Sequence, residues 1–300
     1  MITVIAASMF MYCVPFITAA LGELISQKAG VYNIGLEGYM LVGALTSYLV
    51  TNSSGSPWLG LLTGILAGMV LSLIHGLLTI SFKADQIISG ISIWLIGLGL
   101  TTYLFQMLKI KTYVDVFQPI NFGFLSKIPF IGESVFHQNF IVYAVLILTL
   151  VVNIILFSTS FGVGIQAVGD NPLAVDMAGK KVDWFRYCSV LICGALSGLA
   201  GSYIVLGILG FFSENITAGR GFIALCTVIF AGWNPWKVVG GAFLFSAIES
   251  VQRYLQTSNI GVPVELLQLS PYILTIIVLV LTNRNAASPK MLGIPFLKHR

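Results

Sequence analysis

The chain has 300 residues, of which 57% are apolar and only 9% are charged. A soluble domain of this size carries roughly a quarter charged residues, so the composition excludes an ordinary soluble protein and predicts an integral membrane protein. The net charge of +4 is what basic residues at the cytoplasmic ends of membrane spans would give, and it does not indicate a nucleic-acid partner.

Apolar stretches that could each cross a bilayer recur along the whole sequence. A helix needs about 20 residues to cross, whereas a membrane barrel shows segments of about 10 residues with alternating polarity. The sequence therefore predicts an all-α integral membrane protein with about nine transmembrane helices, or ten with one more near the amino terminus. The nine spans are predicted at residues 4–25, 37–52, 57–81, 86–107, 138–158, 186–209, 221–233, 236–256 and 264–283.

The basic residues predict the orientation of the chain. Residues 1–12 contain no Lys or Arg, so they are interpreted as part of the first span and not as a cleaved signal peptide. With the amino terminus outside, ten Lys and Arg lie on the cytoplasmic side and five on the other, which favours this orientation. Residues 108–137 then form an extracellular loop and residues 159–185 a cytoplasmic loop. One further helix would reverse the side of the amino terminus.

Two short polar stretches interrupt the apolar pattern and resemble each other. They read Asn33-Ile-Gly-Leu-Glu-Gly-Tyr39 and Asn215-Ile-Thr-Ala-Gly-Arg-Gly-Phe222, and their first residues lie 182 positions apart. The second stretch precedes the seventh span, which is too short to cross alone and is typical of a broken or re-entrant helix. Such a helix is stable only where protein or a water-filled cavity shelters its backbone.

The two stretches predict an internal repeat, with repeat one at about residues 1–107 and repeat two at about 186–283 of a single transmembrane domain, residues 1–300. The offset is five spans, and an odd offset places the copies in opposite orientations. Inverted repeats of this kind place a translocation pathway at their interface near the middle of the membrane. The alternative is that these short matches are coincidental.

Glu37 and Arg220 occupy matching positions in the two stretches and carry opposite charges. A charge inside the bilayer costs at least about 2.5–3.5 kcal/mol, so each side chain needs a partner or water. One hypothesis places the two side chains at a gate, where they neutralise each other or the nearby ends of broken helices, and the other has each cap its own helix at the membrane interface. For Glu249 and Arg253, which are i and i+4 on one predicted span, a local ion pair is the simplest interpretation.

Residues around the second stretch are suited to binding a solute. Glu214, Asn215 and Thr217 offer hydrogen-bonding groups for sugar hydroxyls. Phe211, Phe212 and Phe222 offer stacking surfaces, although aromatic residues are equally ordinary at a membrane interface. The predicted pathway residues are Asn33, Glu37, Glu214, Asn215, Thr217, Arg220 and Phe222.

The predicted cytoplasmic loop contains a short capped helix. Asp170-Asn171-Pro172 is a typical helix start, residues 173–178 fit one short helix, and Gly179 ends it. Its place between the repeats predicts a contact for a second protein that supplies energy, and the alternative is a plain connector. The candidate coupling residues are Asp170, Asn171, Pro172, Leu173, Ala174, Asp176, Met177, Ala178 and Gly179.

The chain carries no motif of a catalytic or nucleotide-binding site. It lacks the Gly-x-Ser-x-Gly, His-Glu-x-x-His and Gly-x-x-x-x-Gly-Lys-Ser/Thr patterns. The four cysteines lie in apolar stretches without the spacing of a metal or disulfide site. We therefore expect a protein that is not an enzyme and holds no metal or cofactor, with any ATP hydrolysis performed by another chain.

Further short stretches are spread in order over nearly the whole chain. They are Ala20-Leu-Gly-Glu23, Lys28-Ala-Gly-Val-Tyr-Asn-Ile-Gly-Leu-Glu-Gly38, Ala84-Asp-Gln-Ile-Ile-Ser-Gly90, Val168-Gly-Asp-Asn-Pro172, Ala178-Gly179, Ser197-Gly-Leu-Ala-Gly201, Glu214-Asn-Ile-Thr-Ala-Gly-Arg-Gly-Phe-Ile-Ala224 and Trp233-Asn-Pro235. This pattern resembles the membrane permease subunits of ATP-binding-cassette importers for branched-chain amino acids and simple sugars, and specifically the branch that imports nucleosides.

The resemblance implies a permease subunit that forms the pathway for nucleosides or a related sugar-like solute. It implies a second, often different, permease chain, a solute-binding lipoprotein outside, and ATPase subunits that bind ATP and Mg²⁺ and dock on the loop around residues 170–179. It places the protein in a bacterial inner membrane as a multi-pass protein, in contact with lipid and not with nucleic acid. The alternatives are a stand-alone transporter coupled to an ion through Glu37 or Glu249, and a branched-chain amino acid or monosaccharide permease of the same family.

Overall fold

The computed structural model describes residues 2–109, 112–123, 128, 131–257, 263, 266–267, 269–282 and 288–297. These residues are mainly helical. The helices are α1 (Ile2–Lys28), α2 (Leu36–Ser54), α3 (Pro57–Gly76), α4 (Gln86–Leu108), α5 (Ile131–Val135), α6 (Phe140–Ser158), α7 (Ser160–Asp170), α8 (Pro172–Met177), α9 (Val182–Tyr203), α10 (Arg220–Phe230), α11 (Pro235–Thr257) and α12 (Ser270–Thr282). α3 and α9 continue as π-helical segments, Leu77–Ser81 and Ile204–Leu209.

The predicted all-α membrane fold is confirmed. Among the described helices, five are long and apolar enough to cross a membrane: α1, α3 and α9 with their π-helical extensions, α4 and α6. α10 has 11 residues and is too short to cross alone, as predicted for the seventh span. Nine spans stay a prediction. Of the ninth, residues 264–265, 268 and 283 lie outside the described residues.

α3 and α9 pack closely because glycines face each other along both helices. A methyl group added to Gly64 would lie 1.9 Å from the Ser202 hydroxyl oxygen, and one added to Gly68 would lie 2.3 Å from the Gly194 carbonyl oxygen. Small residues spaced in this way allow helix backbones to approach inside a membrane, where apolar burial does not drive association. This close packing fixes α9 beside the elements of repeat one.

The first helix of each predicted repeat packs mainly against the other repeat. α1 has extensive contacts with α9 and α11 and also contacts α10. α9 packs most extensively against α3, α1 and α2. The two halves of the chain are therefore interleaved, and the repeat itself stays a prediction.

Two non-helical breaks lie at the positions of the two polar stretches. The first break, residues 29–35, separates α1 from α2, and the second break, residues 210–219, separates the π-helical end of α9 from α10. Four residues of the second break have positive φ: Gly210, Asn215, Ala218 and Gly219. For Ala218 this conformation costs roughly 1–2 kcal/mol, so the surrounding contacts must hold it.

The predicted cytoplasmic loop folds into α7 and α8. The predicted start of α8 is present, because the Asn171 side chain accepts a hydrogen bond from the Ala174 amide at 3.1 Å and Pro172 is its first residue. Gly179 follows the helix with a φ of 74°. The short helix was therefore predicted correctly, and α7 was not predicted.

The sequence did not predict α7 because three of its 11 residues are glycines, which disfavour helices. Here glycine is required by packing, since a methyl group on Gly169 would lie 2.1 Å from the Lys28 carbonyl oxygen of α1. Thr159 caps the start of α7 by accepting a hydrogen bond from the Gly162 amide at 3.2 Å. Contacts with α1 and α9 therefore outweigh a weak intrinsic propensity.

Two segments outside the bundle attach to the breaks. In the predicted extracellular loop the Val114 amide donates to the Gly210 carbonyl oxygen at 2.8 Å. At the carboxyl end, residues 288–297 fold back, and the Met291 amide donates to the Gly169 carbonyl oxygen at 2.9 Å. The Gly293 amide of this segment donates to the Gly30 carbonyl oxygen at 3.2 Å. Of the extracellular loop, residues 110–111, 124–127 and 129–130 lie outside the described part of the chain.

Candidate functional site

The carboxylate of Glu37 holds the second break in place. Glu37 is the second residue of α2 and is 1% exposed. Its Oε1 accepts hydrogen bonds from the Thr217 hydroxyl at 2.5 Å and the Gly219 amide at 2.7 Å, and its Oε2 accepts from the Gly221 amide at 2.6 Å. Helix starts carry unpaired amides and a partial positive charge, so this carboxylate of α2 caps the start of α10, in the other predicted repeat.

A glycine follows the charged residue in each polar stretch because another backbone lies against it. A methyl group on Gly221 would lie 2.7 Å from the Glu37 amide nitrogen. One on Gly38 would lie 2.7 Å from the Ile93 carbonyl oxygen of α4. The start of α2 is therefore in backbone contact with both α10 and α4.

Arg220 pairs with Glu249 of α11. Its Nη2 and Nε donate to the two carboxylate oxygens, the Nε bond at 3.2 Å, and its Nη1 donates to the Thr217 carbonyl oxygen at 3.1 Å. Arg253 donates to the same carboxylate at 3.0 Å, which confirms the predicted local pair. Two cations thus share one buried carboxylate, and the buried Arg220 depends on Glu249 for charge neutralisation.

For the matched charges, the structure agrees with neutralisation of a broken-helix end by Glu37 and not with a direct pair. Glu37 does not pair with Arg220, because amides at the start of α10 already occupy both of its oxygens. It also does not serve only its own helix, since these amides belong to the other repeat. Arg220 joins α10 to α11 through Glu249. The two charges therefore fix the geometry of the second break from opposite sides.

A buried polar network holds the first break. Glu23 of α1 accepts hydrogen bonds from the Gln27 side-chain amide at 2.7 Å and the Asn33 backbone amide at 3.1 Å. The Asn33 side chain accepts from the Tyr39 hydroxyl at 2.9 Å, and Gln27 accepts from the Trp233 indole at 2.7 Å. All five side chains are buried, so their hydrogen bonds fix the path of the chain between α1 and α2.

Two cavities border the second break. The ionic cavity has a volume of about 380 Å³, and its lining includes Arg220, Glu249, Gln252, Arg253 and Gln256. The aromatic cavity has a volume of about 560 Å³ and is lined by Tyr48, Phe105, Thr112, Tyr113, Phe211, Phe212, Ser213 and Glu214. Cavities of 300–1,000 Å³ are typical of small-molecule sites.

The predicted pathway residues lie in several places around the second break. Glu214 is exposed and lines the aromatic cavity together with Phe211 and Phe212. Phe222 lies elsewhere and packs edge to face on Trp94 of α4, with ring centroids 5.1 Å apart. The remaining residues are placed as follows: Asn33, Glu37 and Thr217 are buried in the supporting contacts, Arg220 lines the ionic cavity, and Asn215 is exposed at a positive φ of 53°.

The predicted coupling residues form an exposed surface. Pro172 and Val175 anchor α8 by being buried, whereas Leu173 and Met177 are 48% and 83% exposed. Four other coupling residues are also exposed: Asn171, Ala174, Ala178 and Gly179. The exposed Asp170 accepts a hydrogen bond from the Lys290 amide at 3.4 Å, so the carboxyl-terminal segment adjoins this surface.

The sequence reasoning missed the buried network of the first break. The available signal was Glu23, a carboxylate inside an apolar span, which by itself indicates a buried partner. Its partner Gln27 lies one helical turn later. In the described part of the chain, no group of three or more His, Cys, Asp or Glu is placed to hold a metal ion.

Comparison with known proteins agrees with this architecture. Residues 5–280 match the family described as branched-chain amino acid transport system / permease component. The guanosine ABC transporter permease protein NupQ of Bacillus subtilis is 35% identical over 310 residues, which cover 99% of this chain and 97% of the relative. The nucleoside ABC transporter permease protein NupC of Lactococcus lactis subsp. cremoris is 33% identical over 309 residues, covering 99% and 98%.

A third relative is named for a different solute. A putative glucose ABC transporter permease protein of Haloferax volcanii is 39% identical over 246 residues, which cover 81% of this chain and 75% of the relative. No solved structure matches the chain significantly. The family match extends over all five described spans, and permeases of this family are multi-pass cell-membrane proteins without enzymatic activity of their own. The chain belongs to the branched-chain amino acid transport system permease family, as a membrane-spanning permease subunit of an ABC transporter.

Proposed function

We propose that this chain forms the translocation pathway for nucleosides in an ATP-driven importer. The observation that carries the proposal is the similarity, over 99% of the chain, to two permeases named for guanosine and nucleoside transport. The relative named for glucose has a higher identity but matches only 81% of the chain. The aromatic cavity beside the second break also suits a solute with an aromatic ring.

In this proposal separate ATPase subunits bind ATP and Mg²⁺ and dock on α8. The exposed apolar side chains of Leu173 and Met177 supply the contact. A second permease chain completes the pathway, and an extracellular solute-binding protein delivers the solute. This chain itself binds no cofactor.

A continuous set of contacts supports α8 as the point of energy input. α8 follows α7, whose Gly169 lies against the end of α1 and receives the hydrogen bond of Met291. The same carboxyl-terminal segment bonds to Gly30 in the first break. Beyond that break, Glu37 of α2 holds the second break. A displacement of α8 can therefore be transmitted to both breaks through α7, the carboxyl-terminal segment and α2, which are in contact with one another or with the breaks.

The double change Leu173→Asn and Met177→Asn tests the coupling. Both side chains are exposed, so membrane insertion and melting temperature should stay at wild-type values while ATP-dependent uptake and co-purification of the ATPase are lost. Met107→Asn, at an exposed methionine of α4, is the matched control. Normal uptake by the double variant would contradict docking on α8.

Uptake without an ATPase tests the alternative of an ion-coupled transporter. Glu37 and Glu249 are both occupied by donors from the protein, which argues against either as an open ion site. Purified protein in liposomes should therefore show no uptake driven by an ion gradient alone.

Competition experiments test the choice of solute. Unlabelled uridine and guanosine should reduce the uptake of labelled guanosine, and glucose, ribose and leucine should not. Strong competition by leucine or glucose alone would overturn the nucleoside assignment.

A further inference from the structure

The aromatic cavity has features that the supporting contacts of the second break do not require. Its five rings form edge-to-face or tilted pairs, among them Phe105 with Phe212 at 5.0 Å and Tyr113 with Phe211 at 5.6 Å between centroids. Tyr48 and Phe212 are buried and form the base of the cavity, whereas Tyr113 is 81% exposed. The cavity thus combines a buried aromatic base with an exposed ring that is accessible to a solute.

We propose that this aromatic cavity binds the base of a nucleoside, with the Glu214 carboxylate accepting hydrogen bonds from the ribose hydroxyls. The assignment rests on the proposed function and adds to it the residues that select the solute. Every nucleobase presents a flat π face, so stacking on Tyr113 and Phe211 accepts both purines and pyrimidines. The volume of about 560 Å³ lies within the range typical of sites for molecules of this size.

The polar groups of the aromatic cavity favour a neutral solute over a phosphorylated one. Gln106 donates to Oε1 of Glu214 at 2.9 Å, which orients the carboxylate and leaves it capacity for further donors. Among the described lining residues Glu214 is the one charged group, and no Lys or Arg is present to neutralise a phosphate. The described lining therefore suits a neutral nucleoside, and its charged group, Glu214, disfavours a nearby phosphate.

The position of the aromatic cavity connects its occupant to the second break. Phe211 and Phe212 directly follow Gly210, which has a φ of 75° and accepts the hydrogen bond of Val114. Tyr113 belongs to the predicted extracellular loop, next to Val114. A base in the aromatic cavity would thus contact both the outer loop and the start of the second break. Movement of that break would change the stacking surface and release the solute.

Photolabelling tests whether the aromatic cavity binds a base. The importer, purified with its ATPase and permease partner but without the solute-binding protein, is exposed to 8-azidoguanosine and light, and the labelled peptides are mapped. We expect labelling at residues 105–118 or 211–214, displaced by guanosine and not by guanosine monophosphate. Labelling elsewhere, or equal displacement by the monophosphate, would overturn the assignment.

Variants test which residues select the solute. Tyr113→Ala and Phe211→Leu should each weaken guanosine displacement of the label by about 10-fold, since one stacking surface is lost. Tyr103→Ala removes an exposed ring of α4 outside the aromatic cavity and should bind guanosine like the wild type. If the wild-type importer takes up guanosine but the two cavity variants bind it normally, this inference fails and the proposed function stands. If the wild-type importer takes up only glucose, both fail.

Discussion

Replacing Glu37 by Gln should destabilise the protein because its carboxylate caps α10 from the opposite repeat. The carboxylate accepts three hydrogen bonds from the protein, and hydrogen bonds to a charged group contribute about 1.5–3 kcal/mol each. Glutamine keeps one acceptor oxygen but brings an NH₂ group against a donor. We therefore expect a loss of about 2–4 kcal/mol, and a larger loss for Glu37→Ala, which leaves all three donors unpaired.

Thermal melting of the detergent-purified permease measures this loss. Cys13 and Cys193 are buried, so a thiol-reactive dye reports their exposure on unfolding. A loss of 2–4 kcal/mol should lower the midpoint by on the order of 5–10 °C. Glu214→Gln, the same chemical change at an exposed position, is the matched control and should melt like the wild type.

A double-mutant cycle separates the cap from a general effect of charge. Thr217→Val removes the hydroxyl that donates to Glu37 and keeps the shape of the side chain. Because the two residues share one hydrogen bond, the losses of Glu37→Gln and Thr217→Val should not add. Additive losses, or a Glu37→Gln midpoint within 1 °C of the wild type, would refute the trans-repeat cap.

Two further predictions concern packing and the buried ion pair. Gly201→Ala should cost about 1–3 kcal/mol or more, since its methyl group would lie 1.9 Å from the Met40 carbonyl oxygen. Gly99→Ala, in α4, has no neighbour within 4 Å and should melt at or slightly above the wild-type temperature, because alanine favours helices. Equal melting temperatures for the two variants would contradict the close α2–α9 contact. Glu249→Gln should cost about 3–5 kcal/mol because it leaves Arg220 buried without its carboxylate, and adding Arg220→Met should recover part of the loss; a wild-type midpoint for Glu249→Gln would contradict the pairing.

The helices were predictable from sequence wherever a local pattern decides them. The length of the apolar stretches predicts the long spans. Asn171-Pro172 at the start and Gly179 at the end predict α8. The glycines of α7 predict an irregular connector and not a helix. The reason for a glycine at position 169 is its close contact with the Lys28 backbone at the end of α1, which the sequence does not show. Local propensity cannot report a contact with a residue more than a hundred positions away.

The sequence predicted where the two breaks lie and the local Glu249–Arg253 pair, but it did not decide the partners of Glu37 and Arg220. Two isolated charges of opposite sign suggest either a direct pair or neutralisation of a broken-helix end, and the sequence alone does not decide which of the two Glu37 adopts. The contact of Phe222 with Trp94 of α4 was also not predictable, and its place in the pathway stays a prediction. Which aromatic residues line a cavity depends on how the outer loop folds over the break, as Tyr113 shows.

The interleaving of the two halves has a consequence for biosynthesis. α1 is synthesised first, yet α9 and α11, with which it makes its most extensive contacts, are encoded in the second half of the chain. Until they are inserted, Glu23 and Gln27 lie in a helix whose polar groups lack part of their final surroundings. The amino-terminal half therefore cannot reach its final packing before α11 has been synthesised and inserted.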